Sequence, residues 1–219
     1  MIHEHHTTIP RTARYYTLGE PGSGITEVWF ALHGYGQLAG PFLRELAALD
    51  DGSRLIVAPE ALSRFYLGGI SERPAVERAV GASWMTREDR LAEIDDQVRY
   101  LDTVYTEVLE GIDRARVCVL GFSQGAAAAA RWLRFGTARA GRLILWGGEV
   151  PPDLDLSAAR DRFAGLDLTL VVGTRDEFIT RKILDRATQR LEADAIPFHL
   201  VTFEGGHEID ETVLRQIAG

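Results

Sequence analysis

The pentapeptide Gly121-Phe122-Ser123-Gln124-Gly125 places a serine where its hydroxyl could act as a nucleophile. An apolar run, residues 117–120, precedes it, and an alanine-rich helical pattern follows. These flanks predict that Ser123 lies on a sharp turn from a strand to a helix, where glycines leave room for neighbouring chain. The pentapeptide alone is also compatible with an ordinary strand-to-helix turn, but its flanks favour a nucleophile elbow.

A serine hydroxyl becomes a good nucleophile only when a base takes its proton. In sites built on such an elbow, the acid and then the histidine follow the serine in the chain. His207 is the candidate base because it follows two glycines after the last predicted strand. The other five histidines are explained differently. Three lie near the N-terminus, His33 precedes the serine in a glycine-bearing loop, and His199 lies within a predicted strand.

Asp176 is the candidate acid because it is the first carboxylate after the apolar run 170–172. Its role would be to orient the imidazole and to stabilise the imidazolium. Glu177 is the nearest alternative, and Asp153 and Asp155, in a loop with prolines, are weaker ones. Asp176 could also cap the helix that follows it, and this role could coexist with catalysis.

A tetrahedral oxyanion needs backbone N–H donors. The amide of Gln124 is one candidate, because it follows the nucleophile at the N-terminus of a helix. The other should come from the loop 33–37, which follows an apolar strand and reads His-Gly-Tyr-Gly-Gln. We choose Tyr35 as this second donor and interpret His33 as a residue that braces the loop.

These candidate site residues come from distant parts of the chain and need a fold that brings their loops together. The pattern of apolar residues along the chain predicts such a fold. Short apolar runs alternate with helical patterns, and several runs are almost continuously hydrophobic, as in strands buried on both faces of a parallel sheet. The predicted strands are Glu27–His33, Arg54–Pro59, Arg116–Phe122, Arg142–Trp146, Asp167–Gly173 and Phe198–Phe203, with Arg14–Leu18 as an antiparallel edge strand. The predicted helices are Arg90–Ile112, a helix from just after Ser123 to about Phe135, Thr180–Ala195 and Glu208–Ile217. The expected architecture is a three-layer α/β fold with a mostly parallel sheet and helices on both faces.

Residues 61–87 have no clear period and contain several glycines and a proline. Long irregular segments in compact domains are usually functional. This one contains Phe65, Tyr66 and Trp84, so we predict that it lines a pocket for substrate. The alternative is that these aromatic side chains only attach the segment to the domain.

Composition excludes several classes of protein. A length of 219 residues fits one domain, 1–219, and the net charge of −8 argues against nucleic acid or an anionic membrane as the main partner. Cys118 is the sole cysteine and lies in an apolar run, so it is interpreted as a core thiol. No secretory signal or bilayer-spanning run is visible, which makes a cytoplasmic location the default. The N-terminal histidines are not taken as a metal site.

Four segments together resemble the phospholipase/carboxylesterase family of α/β-hydrolases, which includes acyl-protein thioesterases. They are residues 32–36, the pentapeptide around Ser123, residues 173–176 and residues 205–207, in the order of the family. The resemblance implies a serine–aspartate–histidine triad on Ser123, Asp176 and His207, with oxyanion amides on Tyr35 and Gln124. It also implies little or no lid domain and no cofactor, and no metal site is predicted. The segment 61–87 departs from the family, which puts the substrate in doubt.

The sequence therefore predicts a serine carboxylesterase that cleaves a small-molecule acyl ester through an acyl-enzyme on Ser123. A thioesterase would use the same residues, and a lysophospholipase is a further alternative. The non-enzyme alternative is a hydrolase fold retained as a binding module. The oligomeric state, the acyl chain length and the alcohol are left open.

Overall fold

The computed structural model describes residues 1–68, 78–112 and 115–219. Within these residues the strands are β1 (Tyr15–Leu18), β2 (Glu27–Leu32), β3 (Arg54–Pro59), β4 (Ser63–Tyr66), β5 (Val80–Ser83), β6 (Arg116–Phe122), β7 (Arg142–Trp146), β8 (Asp167–Gly173) and β9 (His199–Phe203). Seven of them form one sheet in the order β1-β3-β2-β6-β7-β8-β9. The edge strand β1 pairs antiparallel with β3, whereas all other neighbours in this sheet are parallel. The predicted α/β architecture with a mostly parallel sheet is thus confirmed.

Both faces of the sheet are buried, as is usual for a mostly parallel sheet. Successive side chains of a strand point to opposite faces, and β2 shows this directly. Phe30 belongs to one hydrophobic cluster, and its neighbours Trp29 and Ala31 belong to a second cluster on the other face. Cys118 of β6 lies in the second cluster and is buried, and burial raises the pKa of its thiol.

Helices cover the two faces of the sheet. They are α1 (Ala39–Glu45), α2 (Arg90–Leu109), α3 (Gln124–Phe135), α4 (Leu156–Phe163), α5 (Arg181–Ala193) and α6 (Glu211–Ala218). Buried side chains of α2, α3, α4 and α5 join one cluster, and those of α1 and α6 join the other, which gives three layers. Two helices, α1 and α4, were not predicted from the sequence. No helix within the described ranges is long and apolar enough to cross a membrane.

Part of the segment 61–87 is more regular than its sequence predicts. Strands β4 and β5 pair antiparallel in a separate two-stranded sheet, with Ser63 opposite Ser83 and Tyr66 opposite Val80. The sequence gives little sign of this pairing because β4 is largely exposed and has no apolar run. Residues 69–77 of the predicted substrate-lining segment lie outside the described residues.

Candidate active site

The predicted site residues lie at one edge of the sheet. Ser123 directly follows β6, Asp176 comes three residues after the end of β8, and His207 comes four residues after the end of β9. Because β6, β8 and β9 run parallel, their carboxyl ends share an edge. Open α/β sheets place their sites at this edge, and here it brings together residues that are 31 and 84 positions apart in the chain.

Ser123 has a strained backbone at the junction of β6 and α3. Its φ is 54° and its ψ is −118°, a region that non-glycine residues rarely occupy, at a typical cost of about 1–3 kcal/mol. The flanking glycines permit this turn. A Cβ atom on Gly121 would lie 2.3 Å from the carbonyl oxygen of Gly125, and one on Gly125 would lie 2.0 Å from that of Leu32. Any larger residue at either position would displace the backbone that carries Ser123.

Ser123, His207 and Asp176 form a continuous chain of hydrogen bonds. The Oγ of Ser123 is 2.8 Å from Nε2 of His207, and Nδ1 of His207 is 2.8 Å from Oδ2 of Asp176. An ionised carboxylate can only accept hydrogen bonds, so the matching neutral tautomer of His207 carries its proton on Nδ1. Nε2 is then free to accept the proton of the serine hydroxyl.

The carboxylate of Asp176 is almost fully enclosed. Its side chain is 1% exposed, and Oδ1 accepts hydrogen bonds from the amides of Phe178 and Ile179, each at 2.8 Å. These bonds fix the carboxylate in a local turn and leave Oδ2 for the histidine. The alternative acids are engaged elsewhere or exposed: Glu177 faces solvent, Asp153 pairs with Arg90 and Arg131, and Asp155 accepts from Ala158 at the N-terminus of α4.

Two aromatic rings flank the imidazole of His207. The ring centroids of Phe122 and Phe178 lie 5.0 Å and 4.6 Å from that of His207. The indole N–H of Trp146 donates to the carbonyl of Glu208 at 2.8 Å and thereby anchors the turn that carries the histidine. Phe178 is 66% exposed and was not predicted as a site residue. The only sequence signal for it is its position two residues after Asp176.

The loop 33–37 runs directly against the nucleophile. A Cβ atom on Gly34 would lie 3.2 Å from that of Ser123. The amide of Gly34 donates to Oε1 of Gln37 at 2.8 Å, and the amide of Gly36 donates to the carbonyl of Ala82 at 2.9 Å. Between them, the amide of Tyr35 has no acceptor among the described residues. The geometry therefore leaves the Tyr35 amide available in this loop.

The amide of Gln124 is the first in α3. The first N–H groups of a helix have no acceptor within the helix, and such groups favour negative charge. Its position immediately after Ser123 puts it beside the reacting oxygen. The amides of Gln124 and Tyr35 are thus the two candidate backbone donors beside Ser123.

His33 is fully buried and holds the start of this loop. Its Nδ1 donates to the carbonyl of Gly34 at 2.8 Å, and its Nε2 accepts from the amide of Ala61 at 3.0 Å. Both bonds require the neutral tautomer with the proton on Nδ1. Burial lowers the pKa of His33 below its usual value. The structure thus gives His33 contacts that suit the bracing role predicted from the sequence.

We expect His33 to make the stability of the protein depend on pH. Its pKa is lower in the folded than in the unfolded state, so the unfolded state binds the proton more readily. The free energy of unfolding should therefore fall as pH drops below about 6.5, by at most about 1.4 kcal/mol per pH unit from this residue. Urea unfolding of the wild type and of His33→Gln at pH 7 and pH 5 measures this contribution. An equal drop in the two proteins would contradict it.

The three predicted substrate residues occupy different environments. Phe65 is partly buried, and its ring centroid lies 5.1 Å from that of Tyr35. Tyr66 alternates to the opposite face of β4, where the guanidinium of Arg78 lies 4.1 Å from its ring. Trp84 is 3% exposed and donates its indole N–H to the carbonyl of His33 at 2.8 Å. Trp84 thus packs within a core cluster, a position that suits the alternative of a side chain that attaches the segment to the domain, and its role in lining a substrate pocket stays a prediction.

One cluster of potential metal ligands occurs within the described residues. Glu4, His6 and Asp89 each offer a ligand atom, and these atoms lie within 4.8 Å of one another. All three side chains are exposed, and His6 already contacts both carboxylates, at 3.3 Å and 3.1 Å. The cluster has no contact with the triad, and nothing in its geometry calls for an ion.

The fold and the site define the class of protein to which this chain belongs, the α/β-hydrolases. Within that class, the model of the phospholipase/carboxylesterase family matches residues 78–219. The chain belongs to this family, and the resemblance inferred from its four motifs is confirmed. Membership and fold together support a hydrolase of the esterase type. A comparison with curated proteins found no significant match.

Several solved structures share the fold over nearly the whole chain. Acyl-protein thioesterase 2 from Zea mays has a TM-score of 0.71 and 18% identity, and the match covers 94% of this chain and 96% of that one. A carboxylesterase from Mesorhizobium loti has a TM-score of 0.67 and 17% identity, covering 94% and 93%. A carboxylesterase from Bacillus cereus has a TM-score of 0.66 and 16% identity, covering 94% and 92%. At these identities the likeness establishes the fold alone.

Proposed function

We propose that this protein is a serine carboxylesterase that hydrolyses carboxylic esters through an acyl-enzyme on Ser123. The observation that carries the proposal is the unbroken hydrogen-bond chain from Ser123 through His207 to the enclosed Asp176. A hydrolase fold kept only for binding would have no need of a strained serine aligned with a base and an acid. The family supports the same reaction class.

In the first half of the proposed reaction, Ser123 attacks the carbonyl carbon of the ester. Its Oγ forms a bond to that carbon while its proton passes to Nε2 of His207. The carbonyl oxygen becomes an oxyanion and accepts hydrogen bonds from the amides of Tyr35 and Gln124, each typically contributing about 3 kcal/mol to the barrier reduction. Asp176 stabilises the imidazolium. The tetrahedral species then expels the alkoxide, which takes its proton from Nε2 of His207.

In the second half, water replaces the alcohol. His207 takes a proton from water as the water oxygen attacks the acyl carbon, and a second oxyanion forms in the same place. Collapse of this intermediate breaks the bond to Oγ of Ser123, which regains its proton from His207. The products are the carboxylic acid and the free enzyme. Each of these steps uses the side chains and amides already present, without a cofactor.

Two aromatic groups on different loops are proposed to bound the substrate. One is the pair formed by Tyr35 of the loop 33–37 and Phe65 of β4, whose rings are tilted by 32° with centroids 5.1 Å apart, and the other is Phe178 beside His207. Tyr35 and Phe178 are 61% and 66% exposed. Large exposed apolar side chains next to a reactive serine favour a substrate with an apolar acyl or alcohol group. The acidic net charge keeps nucleic acid an unfavourable partner.

We expect Phe65→Ala to shift the preferred acyl length. Loss of a wall that contacts the chain removes about 0.8 kcal/mol for each methylene it buried, or about fourfold in kcat/KM. Tyr66→Ala is the matched control, since Tyr66 lies on the same strand but on the opposite face. The measurement is kcat/KM for p-nitrophenyl esters from acetyl to palmitoyl. An unchanged preference in Phe65→Ala, or the same shift in Tyr66→Ala, would show that Phe65 only holds the hairpin in place.

A thioesterase is the alternative that the same parts allow, and a neighbouring structure carries that name. The discriminating experiment compares an oxygen ester and a thioester with the same acyl group on the purified protein. The proposal expects the oxygen ester to have the higher kcat/KM relative to its uncatalysed hydrolysis. A preference for the thioester would reassign the substrate, whereas no Ser123-dependent turnover of either would refute the proposed function.

A further inference from the structure

We propose that the side chain of Gln124 is a positioning residue that couples the nucleophile elbow to the oxyanion loop 33–37. This inference rests on the proposed function, because it assigns a role in stabilising the oxyanion. The main chain of Gln124 supplies a candidate oxyanion amide, but its side chain points elsewhere. It makes an interlocking set of hydrogen bonds with residues 83–85, at the end of β5.

Every polar atom of the Gln124 carboxamide has a matching partner in this segment. Oε1 accepts from the amide of Trp84 at 3.0 Å. Nε2 donates to the carbonyl of Met85 at 2.8 Å and to Oγ of Ser83 at 3.1 Å. The pattern fixes the orientation of the carboxamide. If the group were flipped, Oε1 would face the carbonyl oxygen of Met85, and the NH₂ group would face the amide N–H of Trp84, so neither hydrogen bond could form. A carboxylate or an apolar side chain cannot reproduce the pattern.

The two residues directly before this segment, Gly81 and Ala82, contact the oxyanion loop. The amide of Gly36 donates to the carbonyl of Ala82 at 2.9 Å, and the amide of Ala82 donates to the carbonyl of Gln37 at 3.1 Å. The approach of the two backbones is close, because a Cβ atom on Gly81 would lie 2.3 Å from the carbonyl oxygen of Gly36. Ala82 therefore pairs with the loop through two backbone hydrogen bonds, and Gly81 lies directly against it.

Trp84 adds a third connection to this loop. Its indole N–H donates to the carbonyl of His33 at 2.8 Å, and its ring centroid lies 5.2 Å from that of the His33 imidazole. The amide of Trp84 is at the same time bound by Gln124. One residue thus connects the side chain that follows the nucleophile to the residue that begins the oxyanion loop. The distance between the two donor amides, those of Tyr35 and Gln124, depends on this bridge.

The expected consequence is a loss in the transition state rather than in substrate binding. A misplacement of about 1 Å can cost about 100-fold in rate, and the loss of one oxyanion donor costs about 100- to 1000-fold. We expect Gln124→Glu and Gln124→Met to lower kcat by about 10- to 100-fold with KM little changed. Gln124→Glu is nearly isosteric, but it loses both donors and places an oxygen against the carbonyl of Met85.

The test measures kcat per active site, counted by titration with a fluorophosphonate, for the wild type and the two Gln124 variants. The second readout is the inhibition constant of an alkylboronic acid, which forms a tetrahedral, negatively charged adduct on a serine. If Gln124 positions the donors, this constant rises by the same factor by which kcat/KM falls. A merely structural residue would lower the melting temperature and the count of active sites and leave kcat per site unchanged.

Gln97→Met is the matched control. Gln97 is another buried glutamine, 1% exposed on α2, and its carboxamide has no partner among the described residues. It should keep the wild-type kcat. Trp84→Phe keeps the test decisive if the Gln124 variants fail to fold. It removes the indole N–H that binds the carbonyl of His33, together with part of the buried ring, and it should likewise lower kcat per site with KM little changed, by a smaller factor.

Two outcomes separate this inference from the proposed function. If the wild type turns over esters in a Ser123-dependent manner but kcat per site is unchanged in Gln124→Glu and Gln124→Met, the inference is overturned alone. Where these variants do not fold, an unchanged kcat per site in Trp84→Phe overturns it equally. A wild type without Ser123-dependent turnover overturns the inference and the proposed function together.

Discussion

Replacing Ser123 with alanine is expected to lower kcat for ester hydrolysis by about 10⁴-fold or more, with the fold unchanged. The reason is that, in the proposed mechanism, this side chain supplies the oxygen that forms the acyl-enzyme. Alanine fits the site without a clash, since it only removes the Oγ that lies 2.8 Å from His207. Alanine should also tolerate the positive φ of this position about as well as serine does.

The measurement is the steady-state rate with a p-nitrophenyl ester, beside a circular dichroism spectrum and a melting temperature. A residual rate of about 10³-fold over water would be consistent with the remaining oxyanion donors and substrate binding. If Ser123→Ala retains more than about a tenth of the wild-type kcat, a loss far below that of a triad serine, the nucleophile is another residue. If the variant unfolds, Ser123→Cys provides a second route, because a thiol in the same place should still be acylated.

His207→Ala is expected to be about as damaging as Ser123→Ala, and the double variant hardly worse than either. When two residues act as one unit in a reaction, removing either one removes the contribution of both. The increases in activation free energy of the two single variants are therefore not additive. The structure supplies the reason, since Nε2 of His207 contacts the serine hydroxyl and its Nδ1 contacts Asp176. Without the imidazole, the hydroxyl has no base.

His199→Ala is the control for this prediction. His199 begins β9 with a side chain that is 77% exposed, and its nearest carboxylate is 3.8 Å away on Asp167. Its removal should leave kcat unchanged. Independent, additive losses of activity at Ser123 and His207 would contradict a shared role, and an effect of His199→Ala as large as that of His207→Ala would reassign the base.

The strands of the sheet could be predicted closely from the sequence because the sheet lies in the core of the domain. Strands such as β3 and β8 are buried on both faces, so their sequences are nearly continuous apolar runs that need no partner to be recognised. The position of the candidate triad could then be predicted from the sheet, because the motifs that follow parallel strands meet at the carboxyl edge of the sheet. Helix α4 was missed because its proline-bearing approach resembles a loop, although Asp155 does cap it.

What the sequence could not supply is the partner of each side chain. Trp84 occurs in a segment that suggests an exposed loop, and its burial depends on the carbonyl of His33, which is 51 positions away. The exposed position of Phe178 beside His207 has no pattern of its own. For Gln124, the sequence predicts a role only for the backbone amide. The contacts of its side chain depend on the position of the hairpin of β4 and β5. Long-range contacts of this kind decide the details of a site without leaving a period in the sequence.

The most direct test of an activated Ser123 is covalent labelling of the purified protein with a fluorophosphonate, followed by peptide mapping by mass spectrometry. Only a serine whose proton is taken by a base reacts readily with such a probe. We expect one adduct per chain, on the peptide that contains Ser123, and no adduct in His207→Ala. An unlabelled wild type, or an adduct that persists on another residue in Ser123→Ala, would contradict it.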